Sequence, residues 1–443
     1  MASAEINIQM DSFKLSLQAD SLKADANVSN NIHIDPEKEN VIIRKFDYFV
    51  MPQFVIIIIL SYLDRTNIGN ARIFGLEEDI GLEGNQFANI SSLFYVTYVV
   101  FELPWVLAVK RYGANLILAI AIVMWSAVVI GTGFIHNYTQ AVVVPLLLGF
   151  AEAGVFPAIT FLLSTIYPRE SQGKRVAVLY GATALAGAFG GLIAYGIQTM
   201  GDRLGLAAWR WLFIIEGAIS VAIGLLCWVS LPRSSQDAWF LSQDQKQLMQ
   251  ERRLRDVAYT GSDEFSWSYV WMAFTDVMVW VAALSLFCAG IPLFGFGLFL
   301  PTIIRGLGFE SIKVNYLTIP VYVVGCIILG TATFVSDRLR KRAMIAWMPP
   351  VLVIIGYAVV LGTPAAGPGY FAMFMCSGVY TYNAILVAWV SNNIKPDHKR
   401  SAALPFFLSI ANVSGVVASQ VYPNFTAPRQ EDTSPFRRGT WTK

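Results

Sequence analysis

The apolar stretches of this 443-residue chain recur at a length and spacing that only a membrane accommodates. A helix needs about 20 predominantly apolar residues to cross a hydrocarbon core of about 30 Å. Such stretches lie near residues 46–68, 88–109, 114–135, 139–165, 176–200, 208–231, 273–303, 314–336, 343–363, 369–392 and 401–422. In lipid, backbone N–H and C=O groups must be satisfied within the segment, so these stretches predict eleven helices and an all-α integral membrane protein. Charge is correspondingly scarce: 14% of residues are Asp, Glu, Lys or Arg, while 55% are apolar. No soluble domain of this length has that balance.

The connecting segments predict sidedness. Lys110 and Arg111, then Lys174 and Arg175, then Lys246, Arg252 and Arg253, then Arg338, Arg340 and Lys341, then Lys395, Lys399 and Arg400 fill every second loop. The first loop on the other side is acidic, with Glu77, Glu78, Asp79 and Glu83. Positive loops stay cytoplasmic, which places the N-terminus there. Residues 1–45 are polar and lack the apolar centre of a signal peptide, so they read as a mobile cytoplasmic tail. The longest loop, 232–272, divides a six-helix bundle (46–231) from a bundle of five (273–422), with a polar tail at 423–443. Within that loop Ser242-Gln243-Asp244-Gln245 has capping-box spacing and predicts a surface helix leaning on the bundle through Leu241, Leu248 and Leu254. Two bundles joined by a cytoplasmic linker is the layout of a transporter made of two related halves.

Inside this apolar frame a few polar residues stand out. Asp64 and Arg65 sit near the end of the first stretch, and Glu152 near the middle of the fourth. A charged side chain at the bilayer centre costs about 2.5–3.5 kcal/mol on insertion scales, so such residues mark pathways by default. Cys227, Cys288, Cys326 and Cys376 fall in apolar stretches without close spacing and read as buried packing thiols, not as disulfides or a metal site. His33, His136 and His398 lie in a tail and two loops, without the partner spacing that a membrane enzyme needs. No cofactor, metal or nucleic-acid partner is expected.

Several motifs occur together and in order. Leu63-Asp64-Arg65-Thr66-Asn67-Ile68-Gly69-Asn70-Ala71 is followed by Gly149-Phe150-Ala151-Glu152-Ala153-Gly154, Tyr167-Pro168-Arg169-Glu170 and Ala186-Gly187-Ala188-Phe189-Gly190-Gly191. Trp209-Arg210-Trp211-Leu212-Phe213-Ile214-Ile215-Glu216-Gly217, Leu300-Pro301-Thr302-Ile303-Ile304 and Ser391-Asn392-Asn393 complete the set. Over roughly residues 41–429 this pattern resembles the fungal allantoate-permease-like branch of the anion:cation symporter family, in the major facilitator superfamily. The resemblance implies a major facilitator fold and a proton-coupled, alternating-access uptake carrier for a small organic anion such as a vitamin, ureide or carboxylate. It also implies a plasma-membrane location, and a monomer is expected. Efflux of a secondary metabolite, or a nutrient receptor that binds without transporting, would show the same motifs.

Within that framework the residues divide by task. Asp64 and Asn67 share a helix face, whereas Arg65 projects about 100° from Asp64. Arg65 is therefore expected to bind the substrate carboxylate bidentately, with Asp64 orienting it or exchanging protons; the alternative is an Asp64–Arg65 pair that locks helices. Glu152 is the second candidate for proton coupling. Asn67, Asn383 and Asn412 are candidates to line the substrate cavity, or else to make interhelical hydrogen bonds. Gly187 and Gly191 read as a close-packing or gating face. Arg210 and Glu216 read as an anchoring pair at the outer end of the sixth helix, and Pro292 and Pro301 as breaks in the seventh. Asp337 and Arg338 resemble the superfamily's cytoplasmic loop motif, a latch for the inward-closed state.

Three departures from the family pattern stand out. Pro145 occupies the place where an arginine is expected seven residues before Glu152, which removes one of two cations aimed at an anion. Glu102-Leu103-Pro104 continues as Trp105-Val106 in place of serine and asparagine. Past Arg429 the sequence turns polar where a twelfth apolar helix is expected, which suggests an altered reading frame or else an authentic shortened carrier.

Overall fold

The computed structural model describes residues 34–421, apart from 237, 261–270, 273, 340–341, 364 and 395–396. The outer part of the expected N-terminal tail, all of the expected C-terminal tail with the ending past Arg429, and parts of the expected linker lie outside the described residues. So do Arg340, Lys341 and Lys395, together with the side chains of Asp337, Leu254, Lys399 and Arg400.

The described residues are helical and contain no named strand. The first half runs α1 (Pro36–Phe49), α2 (Met51–Ile73), α3 (Leu76–Asp79), α4 (Gln86–Tyr112), α5 (Ala114–Thr132), α6 (Tyr138–Glu152), α7 (Val155–Ile166), α8 (Arg169–Met200) and α9 (Ala208–Ser230). The linker carries α10 (Gln243–Thr260). The second half runs α11 (Val277–Gly306), α12 (Ser311–Leu339), α13 (Arg342–Ala346), α14 (Met348–Gly362), α15 (Ala366–Cys376), α16 (Val379–Asn393) and α17 (Asp397–Val421). Nine helical stretches among the described residues are long and apolar enough to cross a membrane. The expected spans at 88–109 and 401–422 are helical as α4 and α17, the latter with a shorter apolar part, Phe406–Val421.

Many large apolar side chains point outward: Val277, Val281 and Leu284 on α11, and Leu225, Leu226 and Val229 on α9. Such a surface suits lipid, where apolar side chains meet acyl chains and each helix satisfies its own backbone. Cys288 belongs to this outward face, so the expectation of four buried thiols holds for Cys227 and Cys376 only; Cys326 is intermediate.

The halves meet chiefly along three seams, α2 with α11, α4 with α17, and α8 with α12, and α8 also touches α16. Glycine makes all three approaches possible: on α17 a Cβ at Gly415 would meet the Tyr95 ring of α4. A Cβ at Gly69 would meet the Leu298 carbonyl, and one at Gly191 would sit 2.8 Å from the Asn315 carbonyl oxygen. Gly187 faces the Tyr322 ring across the same α8–α12 seam. At the end of the molecule away from the linker, Asn315 donates to Gln198 at 2.7 Å, and Gln420 to Asn89 at 3.2 Å.

The linker end adds polar and charged contacts to the main apolar cluster, which Phe46, Leu241 and Met249 join. α10 begins with the expected reciprocal cap: Gln245 N–H donates to Ser242 Oγ at 3.4 Å, and Ser242 N–H to Gln245 Oε1 at 3.2 Å. Leu241 is buried and Leu248 partly so, while Met249 and Arg252 provide the remaining described buried contacts of that face. Residues 36–45, expected in a mobile tail, form most of α1, with Asp35 capping its start through the Glu37 N–H. α1 stays in place because it has partners. Lys45 donates to Gln245 Oε1 at 2.8 Å, Glu39 pairs with Arg252 at 3.0 Å, and Asp47 pairs with Arg175 at 2.6 Å. Phe46 and Phe49 pack on Phe240 with ring centroids 5.0 Å apart.

Candidate functional site

The site is built around Arg65. On α2 its guanidinium turns toward α6, where Nε and Nη2 donate to Glu152 Oε2 at 3.2 and 3.0 Å. Ser61, one turn earlier on α2, donates to the same oxygen at 2.9 Å. The rings of Tyr62, Phe94 and Tyr98 surround the cation with centroids 4.7–4.8 Å from the guanidinium carbon. A guanidinium is weakly hydrated and planar, so rings and a carboxylate together replace its water.

Glu152 is fully buried, and its Oε1 has no hydrogen-bond partner among the described residues. It is also the last residue of α6. The fourth expected span, read as continuous, is interrupted at Ala153 and Gly154 before α7 resumes. Gly149 and Gly154 explain the local path, since a Cβ at either would run into α4, on Phe94 and Trp105 respectively. The Trp105 departure has a role here: its indole N–H donates to the Phe150 carbonyl at 2.7 Å, tying α4 to α6 beside the break. The corresponding span of the second half breaks as well, at Ser377 and Gly378 between α15 and α16. Interruptions at matching positions in two halves point to a central site.

A cavity of about 100 Å³ opens beside the pair. Arg65 and Asp64 line it from α2, Phe94 and Tyr95 from α4, Pro145 from α6, Phe294 from α11 and Tyr380 from α16. Both halves thus contribute. The wall is largely apolar, with aromatic rings gathered around Arg65, the one cation among its described residues, and Pro145 gives apolar surface where a second cation was expected. A smaller cavity of about 40 Å³ lies next to it, sharing Tyr62, Leu293 and Phe294 and adding Glu102, Asn383 and Asn412.

The other candidates fall into place around these cavities. Asp64 does not orient Arg65: its oxygens have no hydrogen-bond partner among the described residues, and Glu152 holds the guanidinium instead. Successive residues on a helix diverge too far to pair across a shared face. Asn67 is fully buried away from the cavity linings, donating to Glu216 Oε2 and accepting from Asn70 at 3.2 Å. Asn383 lines the smaller cavity and donates to the Val379 carbonyl at 2.8 Å, and Asn412 donates to Glu102 at 3.3 Å.

Arg210 and Glu216 are not partners. Six residues along one helix put them on different faces. Arg210 pairs with Asp79 at 2.9 Å and donates to the Gly133 and Ile135 carbonyls, closing that end of the first half. Pro301 and Pro292 do not break α11, which runs continuously from Val277 to Gly306. Each proline removes one backbone donor, and the turns on either side keep theirs. Arg338 is exposed on the last turn of α12. The residue that sequence reasoning passed over is Glu102, noted only as part of a variant motif; a carboxylate in an apolar span was the available signal.

Two helical bundles with an apolar, arginine-bearing cavity between them have a secondary-transporter architecture. The chain belongs to the Major Facilitator Superfamily, whose family model matches residues 54–419. It is therefore a multi-pass membrane transporter and not an enzyme. Among its relatives, an uncharacterised transporter of Schizosaccharomyces pombe is 41% identical over 394 residues, 88% of this chain and 79% of that protein. The high-affinity nicotinic acid transporter of Saccharomyces cerevisiae is 34% identical over 88% of this chain and 73% of its own length. A bacterial homologue of the human lysosomal transporter Spinster, solved in an inward-facing conformation, shares the fold with a TM-score of 0.66 at 14% identity. The match covers 88% of this chain and 83% of that one.

Proposed function

We propose that the chain is a proton-coupled uptake carrier of small organic anions, of the allantoate-permease-like branch, acting as a monomer in the plasma membrane with its N-terminus in the cytoplasm. The observation that carries this reading is the Arg65–Glu152 pair beside the cavity. An anion and Glu152 compete for one guanidinium. Protonating Glu152 removes its charge and frees Arg65 for a substrate carboxylate, which it binds through the same Nε and Nη2 donors. Losing the anion returns Arg65 to Glu152 and expels the proton. Coupling follows because a buried guanidinium left without any anion is strongly disfavoured.

The walls support one substrate class. One cation, flanked by Tyr62, Phe94 and Tyr95 with Phe294 and Tyr380 opposite, suits a compact aromatic monocarboxylate. The nicotinic acid transporter among the relatives supports that choice. Sidedness is supported by Lys45, Arg175 and Arg252 gathering at the linker end.

The test is uptake of labelled nicotinate and a panel of other organic anions into vesicles containing the full chain, with and without an imposed proton gradient. Accumulation of at least one monocarboxylate that follows the gradient is expected. Failure of every anion to accumulate, or accumulation indifferent to the gradient, overturns the reading.

A further inference from the structure

Glu102 is a buried acid that the exchange at Arg65 leaves without a task. It is 1% exposed, and its carboxyl reaches out of its own half. Oε2 accepts from Ser409 Oγ at 3.0 Å and from Asn412 Nδ2 at 3.3 Å, both on α17. Oε1 is buried and has no hydrogen-bond partner among the described residues. Two donors converge on one oxygen while the other receives none. A carboxylic acid satisfies that pattern, with Oε2 as its carbonyl and Oε1 as its hydroxyl, whereas an isolated carboxylate would be left buried without a counter-ion.

The surroundings agree. Ionisable groups reach the Glu102 cavity from α2 (Arg65 near by, and Tyr62), from α4 (Tyr98) and from α8 (Tyr180). α6 contributes Glu152, which holds Arg65, and the described cavity-lining residues of α7, α11, α16 and α17 add no ionisable side chain. Arg65 is thus committed elsewhere. The cavity of about 40 Å³ that Glu102 lines exceeds the space that one water needs.

We propose that Glu102 is a second proton-binding site, set on the α4–α17 seam so that its two donors are present only while the halves are closed there. Opening the seam withdraws Ser409 and Asn412 from Oε2 and wets the carboxyl, and the proton on Oε1 passes to water. Closing it again requires a proton to return to Oε1. The use made of this proton rests on the coupled-carrier reading above, but its presence is measurable without transport.

The experiment is infrared spectroscopy of the full chain, purified and held in lipid, titrated from acid to alkaline pH. Glu102→Gln is expected to remove one carbonyl-stretch band of a protonated acid, and Glu152→Gln to leave that band in place. Ser409→Ala combined with Asn412→Ala keeps the acid but shifts the band to higher frequency, because its carbonyl oxygen loses both donors. That variant also serves if Glu102→Gln does not fold. An unchanged set of acid bands in Glu102→Gln, or a band unmoved by the α17 double substitution, overturns the proposal. Vesicles of the unsubstituted chain that show no gradient-driven transport refute the coupled-carrier reading alone and leave the band assignment standing.

Discussion

Arg65 is held by one carboxylate and three rings, and each contributes differently. The rings replace water, and only Glu152 supplies charge. Removing one partner of a buried pair costs about 3–5 kcal/mol of stability because the other charge is left unpaired. Truncating a charge that binds a ligand costs about 2–5 kcal/mol of affinity. Arg65→Gln is therefore expected to weaken binding of an anionic substrate by roughly 30-fold or more. Equilibrium binding to the purified variant checks this, and an unchanged affinity rejects the role. Sequence reading found Arg65 and Glu152 separately, since any charge in an apolar stretch is conspicuous. It did not find their partnership, because the two residues come from different helices and no local pattern encodes which carboxylate faces which cation. The same holds for Glu102, whose partners Ser409 and Asn412 lie in the other half of the chain.

At the level of helices, the legible features were those whose cause is local. The cap at Ser242 depends on residues within one turn, and it formed as its spacing predicted. The interruptions were misplaced for the opposite reason. Prolines in α11 looked like breaks, yet a helix tolerates an isolated missing donor when its neighbouring turns are supported. The actual break after Glu152 depends on Gly149 and Gly154 letting α6 press onto α4, a tertiary cause. The α8–α12 seam has the same character. A side chain at Gly191 must displace the Asn315 carbonyl and Thr318. Gly191→Val is expected to lower stability by about 1–3 kcal/mol through overpacking. Thermal unfolding of the purified variant measures it, and a Tm equal to that of the unsubstituted chain would show that the seam has slack.

Across the whole molecule, nine of the eleven expected spans coincide with helices long and apolar enough to cross a membrane among the described residues, because lipid sets a minimum length for a spanning helix. The position of the cavity was not readable in the same way, since it arises where two halves meet and draws residues from α2, α4, α6, α11 and α16. The proposed exchange at Arg65 makes a claim about the entire cycle. Protons must enter with the anion, so uptake should rise as the substrate side is acidified. Glu152→Gln, permanently neutral, should flatten that dependence while sparing exchange of substrate across the membrane. Uptake by Glu152→Gln that still follows the proton gradient would transfer the role to Asp64 or Glu102.

The Arg65–Glu152 pair also has an electrical consequence. A membrane potential of 100 mV acts on each elementary charge moved across it with about 2.3 kcal/mol. In the proposed cycle the empty pair sums to zero, and the loaded state, with a carboxylate on Arg65 and a proton on Glu152, again sums to zero. Neither leg of the cycle then moves net charge at this centre, and the resting voltage of the cell neither drives nor hinders it. Accumulation through Arg65 and Glu152 alone is set by the pH difference, and any voltage sensitivity measures charge carried elsewhere in the protein, with Glu102 the first place to look.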